Sequence, residues 1–218
     1  MELYGYYRST SSYRVRIVLA LKGLAYTSIP VNLLKAAHKE HDYLAINPQA
    51  RVPALLDQGN EAIIQSPAII EYLEERYPET PLLPSTLQTD GLLTRAKIRS
   101  VAALIACDVH PLHNVSVLNY LRQHYQCSDD AINAWISEWI GQGLAAVEQL
   151  IGDVGYCFGQ VSVADAYLIP QLYAARRFNV PLDAYPKILR VEALAEQHGA
   201  FIDAHPKNQV DCPETPPS

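Results

Sequence analysis

Four cysteines in 218 residues, none in a CxxC pair and none at ligand spacing from paired histidines, exclude the pattern of a disulfide scaffold or a zinc site. Cys107, Cys127, Cys157 and Cys212 read as reduced packing thiols, and no metal is expected. Basic clusters are equally scarce. Seventeen Lys+Arg against 23 Asp+Glu give a net charge of −6, and the longest basic run is Arg176-Arg177, so a nucleic-acid footprint is not expected. Long apolar runs are missing too: the longest uninterrupted one, Val101–Cys107, falls well short of the ~20 residues of a bilayer span. No membrane segment is therefore expected. The first residues, Met1-Glu2-Leu3-Tyr4-Gly5, lack a basic leader and meet Arg8 before any apolar stretch develops, so no secretory signal is read and the cytoplasm is the expected compartment.

What is present is the composition of an ordinary globular chain, with 49% hydrophobic and 18% charged residues and a length that allows one large domain or two small ones. Glu2–Tyr7 reads as a strand. The hydroxyl cluster Ser9-Thr10-Ser11-Ser12 then precedes an apolar-periodic run that closes on Lys22-Gly23, the start and stop signals of a helix. A second strand over about 25–32 makes this unit a right-handed βαβ. Val52–Asp57 and Ala62–Gln65 flank the turn-like Gln58-Gly59-Asn60-Glu61 as an antiparallel pair. Ser66-Pro67 opens a further helix, with Ser66 read as its N-cap. The order βαβ-ββα, a four-stranded mixed sheet with helices, is that of an α/β thioredoxin-like domain over residues 1–82.

Pro81 and Pro84 punctuate a linker, and an all-helical domain is expected over 88–218. Its helices are read over about 92–109, continuing past a break at His110-Pro111 to 123, then 131–151, 163–177 and 186–199. Ser162 and Asp165 form a capping-box-like start. The proline-rich tail from Asp211 is expected to fray.

A thioredoxin-like domain that exchanges disulfides needs a low-pKa cysteine at the N-terminus of its first helix. Ser9, Thr10, Ser11 and Ser12 stand there instead, so a thiol would have to arrive on a ligand; the alternative is that the hydroxyls only cap the helix. Gln65-Ser66 at the other helix start suits a carboxylate. Val52-Pro53 at a strand opening suits a cis bond that exposes the Val52 backbone to an extended peptide. These three features point to a thiol-bearing peptide with a free carboxylate.

Across nearly its whole length the chain resembles the zeta class of the glutathione transferases. YRSTSSYRVRIVLALKGL is similar to the class signature Ser-Ser-Cys-Ser-Trp-Arg-Val-Arg-Ile-Ala-Leu, and INPQARVPALL, IIQSPAIIEYLEERYP, HPLHNVSVL and ARRFNVPLDAYP carry further likeness. The resemblance implies the glutathione transferase fold, glutathione as cofactor, a homodimer, and glutathione-dependent isomerisation of maleylacetoacetate or maleylpyruvate by reversible thiolate addition. A broader transferase acting on small electrophiles and α-haloacids, or a non-catalytic binding module, are the other readings. By position, Ser9 matches the catalytic serine, Thr10 the next serine, and Ser11 the family's cysteine. Val52, Gln65, Ser66 and His110 match glutathione contacts, and Arg8 and Arg177 match the positions that would receive substrate carboxylates. Val115-Ser116, in place of an Arg-Arg pair, leans toward maleylacetoacetate.

Other polar residues have plainer readings. His38, His41, His124, His198 and His205 read as surface or structural, and Arg14 and Arg16 as interdomain or surface ion pairs. Asp165 reads as a fold determinant, Cys107 and Cys157 as core, and Trp135 and Trp139 as a packed helix face.

Overall fold

A computed structural model of the protein describes residues 1–59 and 61–214, so Asn60 of the expected turn and the last four residues of the tail lie outside it. The chain divides into two compact units, Met1–Pro81 joined by the segment from Glu196 on, and Leu82–Ala195.

In the first unit, β1 (Glu2–Gly5), β2 (Thr27–Pro30), β3 (Ala54–Leu56) and β4 (Ala62–Ile64) form one sheet in the order β2-β1-β3-β4. Leu3 of β1 pairs with Ser28 of the parallel β2 and Leu55 of the antiparallel β3, and Leu55 in turn pairs with Ile63. This is the mixed sheet that the sequence order implies. Helix α1 (Thr10–Leu21) and helix α3 (Ser66–Arg76) pack together, burying Val15, Ile17, Val18 and Leu19 from one and Ile69, Ile70 and Leu73 from the other. The 69/70/73 spacing puts three apolar side chains on one helical face. Gly23, at φ +65°, ends α1 in the left-handed conformation that glycine adopts without a Cβ clash.

Three short elements had no clear sequence signal. A 3-10 turn (Ala37–Lys39) and α2 (His41–Ile46) occupy the polar stretch before Asn47, and α9 (Gly199–Ala204) follows where the last helix was expected to end. Helix α9 packs on α1, so the C-terminal segment belongs with the sheet unit, whereas the sequence reading carried the helical domain through to Ser218. The tail is not frayed at its start, because the Asp211 carboxylate accepts a hydrogen bond from the Tyr7 N–H at 2.9 Å.

The second unit holds α4 (Gly91–Ala103), a π-helical turn (Leu104–Val109), a 3-10 turn (His110–His113), α5 (Val115–Tyr125), α6 (Asp129–Leu150), α7 (Val163–Arg177) and α8 (Pro186–Ala195). Pro111 has no N–H to continue the ladder, which accounts for the expected break. The helical run Gly91–Tyr125 is, by length and composition, long and apolar enough to cross a membrane, a property that counting uninterrupted apolar residues missed. Its residues Ile98, Val101, Ile105 and Val109 are nonetheless buried in the helical unit's core. Cys107, expected in that core, is exposed: the π turn rotates it away from the face that Ile105 and Val109 bury. Gly143 of α6 faces this turn so closely that an added Cβ would collide with Val109 Cγ2. Trp135 and Trp139 meet edge to face at 5.6 Å, and Trp135 Nε1 donates to the Leu112 carbonyl at 2.7 Å.

Asp165 is fully buried and accepts from the N–H groups of Ser162 and Cys157 at 2.8 Å each, and from the Ser162 hydroxyl at 2.9 Å. Burial pushes this carboxyl up, and the hydrogen bonds from Cys157 and Ser162 oppose that shift. Asp165→Ala would leave three buried donors without their acceptor, a cost on the order of 3 kcal/mol in urea-unfolding free energy; a change under about 0.5 kcal/mol would refute the capping role.

Candidate active site

Ser9 caps α1. Its Oγ accepts from the Ser12 N–H at 3.2 Å, and its own N–H donates to the Tyr6 carbonyl at 3.0 Å. Because the hydroxyl oxygen is already an acceptor toward the helix, its hydrogen is left to donate outward. Capping and thiolate binding are therefore not rival roles for Ser9. No acidic residue occupies the first turn of α1, so the positive end of its dipole is not offset by a carboxylate of that turn. Thr10 is buried, while Arg8 and Ser11 are partly exposed. Tyr6, two residues before Arg8, is pushed up to about 12, chiefly by burial, and its phenol stays neutral at physiological pH.

Helix α3 starts one residue earlier than the sequence suggested. Gln65 is its N-cap and Ser66 its first residue, and no side chain caps it. The Ser66 hydroxyl is thus spared from the role expected for it. It accepts instead from the Arg14 Nη1 at 3.4 Å, which again leaves the hydroxyl hydrogen to donate. The first turn of α3 also carries no acidic residue, whereas α6 begins with Asp129 and Asp130 and α7 with Asp165. Gln65 sits at φ 72° and ψ 117°, a conformation costly for any residue with a Cβ, and its Nε2 donates to Gln49 Oε1 at 2.6 Å. Such a conformation carries strain of about 1–3 kcal/mol, here at a helix start whose first turn has no acidic residue. Val52-Pro53 is a cis peptide, as the strand-opening proline suggested.

Arg14 and Arg16 are not surface groups: they are 1% and 4% exposed. Arg14 lies behind Ser66, and Arg16 donates to main-chain carbonyls. Sequence reading missed both this role and the strain at Gln65. Two arginines interleaved with the apolar Tyr13, Val15 and Ile17 were the available signal for the first; nothing in a single glutamine announces the second.

Two candidate residues belong to the helical unit. His110 lies in the 3-10 turn with its ring 5.2 Å from that of His113. His113 is buried, and its Nε2 is 3.2 Å from Oε1 of the fully buried Gln171, so it is a packing residue. Arg176 is engaged by Glu192, Nε to Oε1 at 2.7 Å, with a second contact from Nη2 to Oε2. Arg177 lies 4.4 Å over the Phe178 ring, a cation–π contact that orients its guanidinium.

The strain assigned to Gln65 is testable. Gln65→Gly and Gln65→Ala both remove the amide, but only glycine relieves the positive φ. The glycine variant should be more stable than the alanine variant by about 1 kcal/mol in thermal denaturation, and the reverse order would show that no strain is stored there.

Residues 3–81 match the family model of the glutathione S-transferase N-terminal domain. The chain is 61% identical over 216 residues to the maleylacetoacetate isomerase of Pseudomonas aeruginosa, covering 98% of this chain and 99% of the relative. Two solved structures superpose with a TM-score of 0.90. One is a holo maleylpyruvate isomerase, a bacterial zeta-class glutathione S-transferase, 44% identical and covering 97% of this chain and 99% of its own. The other is the Methylobacterium extorquens maleylacetoacetate isomerase with bound malonate and glutathione, 34% identical and covering 98% and 100%.

Proposed function

The chain belongs to the zeta class of the glutathione transferase family, and from that membership we propose that it is a glutathione-dependent cis–trans isomerase acting on maleylacetoacetate. The observation that carries the reading is the pair of hydroxyls, Ser9 and Ser66, each accepting from within the protein and each free to donate from a helix start that has no acidic residue in its first turn. One faces a thiolate and the other a carboxylate, the two groups that glutathione carries apart. The 61% identity to a maleylacetoacetate isomerase, against 44% to a maleylpyruvate isomerase, favours the longer substrate.

Bound glutathione supplies the nucleophile, a thiolate that adds reversibly to the cis double bond of the maleyl group and leaves once the bond has rotated to trans. The protein's part is to hold that sulfur ionised and to fix the substrate. Ser9 donates to the sulfur and favours its charged form, as does the α1 N-terminus. Thr10 and Ser11 add hydroxyls at the same helix start. Ser66, with Arg14 behind it, and the backbones of Gln65 and Val52 hold the peptide, and His110 is assigned a further contact to it. Arg8 and Arg177 receive substrate carboxylates, a task for which the guanidinium fork is suited. Ser11 in place of the family's cysteine leaves glutathione as the nucleophile. The homodimer and the cytoplasmic setting are part of the same proposal, supported for the latter by four free cysteines.

A spectrophotometric assay of maleylacetoacetate and maleylpyruvate loss checks this. Turnover should require glutathione, favour maleylacetoacetate, and fall at least ~100-fold in Ser9→Ala. Arg8→Ala with Arg177→Ala should abolish isomerisation while sparing conjugation of an uncharged electrophile. Isomerase activity undiminished by loss of both arginines would overturn their assignment, and conjugation without any isomerisation would favour the transferase reading.

A further inference from the structure

The turn that presents Ser9 is built by residues distant in sequence. Arg16 donates from Nη2 to the Tyr7 carbonyl at 3.1 Å, from Nη1 to the Tyr6 carbonyl at 3.5 Å and from Nε to the Ala204 carbonyl at 3.0 Å. The Asp211 carboxylate takes the Tyr7 N–H at 2.9 Å across 204 residues of sequence. Tyr7 is thus gripped on both of its main-chain polar groups, the N–H by Asp211 and the C=O by Arg16. The Tyr6 carbonyl is held by the same guanidinium while it accepts the Ser9 N–H.

Asp211 is aimed by a fixed corner rather than by a loose tail. After α9, a 3-10 turn (Pro206–Asn208) is pinned by Asn208 Nδ2 on the Ile202 carbonyl at 2.7 Å. Gln209 Nε2 then donates to the Asp203 and His205 carbonyls at 2.9 and 3.0 Å. The corner rides on α9, which packs on α1, the helix that Ser9 caps.

We propose that Asp211 is a positioning residue of the active site, fixing through the Tyr7 N–H the turn on which the Ser9 hydroxyl depends. The C-terminal segment is then a working part of the thiolate site and not merely a packing element. Ser9 is only partly buried, and among the described residues the sheet pairing of β1 ends at Gly5, before this turn. A donor to a thiolate acts only at hydrogen-bond distance, so a displacement of about 1 Å weakens it steeply.

The inference rests on reading Ser9 as the partner of the glutathione sulfur, and its test separates the two. Asp211 is partly exposed, so Asp211→Ala is a milder change than any variant of the buried Arg16. Asp211→Asn keeps an acceptor oxygen and removes the charge. Turnover of the maleyl substrate, counted per titrated glutathione site, is compared in the three proteins, together with amide hydrogen exchange of the 5–12 segment in the ligand-free state.

Asp211→Ala should lose about tenfold in turnover per site, with glutathione affinity changed by less than about threefold, and its 5–12 amides should exchange faster. Asp211→Asn should restore most of both properties. Unchanged turnover and exchange in Asp211→Ala would overturn the proposal, as would equal losses in the two variants, which would make the carboxylate's charge and not its bond the cause. A fall in the number of glutathione sites with full turnover at each would also overturn it, since that is the mark of a folding defect. Were the wild-type protein itself to lack glutathione-dependent turnover, the functional reading would fall and the positioning role with it, while the exchange data would still show whether Asp211 holds the turn.

Discussion

Helix α1 and its C-cap are buried almost all round and still carry three buried cations, Arg14, Arg16 and, at the cap, Lys22. A buried charge is costly unless it is richly hydrogen-bonded, so each of these must find its partners in a particular neighbour. Lys22 takes Glu74 at 2.8 Å and the carbonyls of Tyr77 and Thr80 at 2.9 Å each, fixing the C-terminal end of α3. Arg14 takes Ser66 at the other end of α3, and Arg16 takes α9 and the turn before Ser9. These contacts tie both candidate helix starts to one frame. Hydrophobic burial stabilises that frame, but burial is non-directional and would not by itself fix a hydroxyl to within a fraction of an ångström.

The same economy explains the chemistry. A hydroxyl that accepts a hydrogen bond from inside the protein has its hydrogen directed out, and both Ser9 and Ser66 are so arranged. A helix start with an acidic first turn would repel an anion. Helices α6 and α7 have such starts and do structural work, whereas α1 and α3 do not. On the proposed function, a thioredoxin-like scaffold without a cysteine at the α1 start keeps the conditions for a thiolate and receives the sulfur on a ligand. In the helical unit, Arg176 is engaged by Glu192, and Arg177 rests against the Phe178 ring.

Much of this was legible in the residues. The βαβ-ββα element order, the helix after the hydroxyl cluster, the cis Val52-Pro53 bond, the capping role of Asp165 and the break at Pro111 all follow from local signals that need no tertiary context. What was not legible depended on contacts between distant segments. Cys107 read as core because its neighbours are apolar, and only the π turn exposes it. Arg14 and Arg16 read as interdomain or surface ion pairs because no pattern along the chain reveals that the opposite face of α1 is covered by α9. Ser66 read as an N-cap because Ser-Pro starts many helices, but the backbone of Gln65 displaces the cap by one residue. Asp211, in a proline-rich tail, gave no hint that it returns to Tyr7.

The central claim is that the protein ionises a sulfur it does not itself carry. An ultraviolet difference titration of glutathione into the protein at neutral pH reads this directly, because the thiolate absorbs where the thiol does not. The account predicts a saturable thiolate band, one per binding site, that is largely lost in Ser9→Ala although glutathione still binds. Binding of glutathione to the wild-type protein with no thiolate band, or an undiminished band in Ser9→Ala, would contradict it.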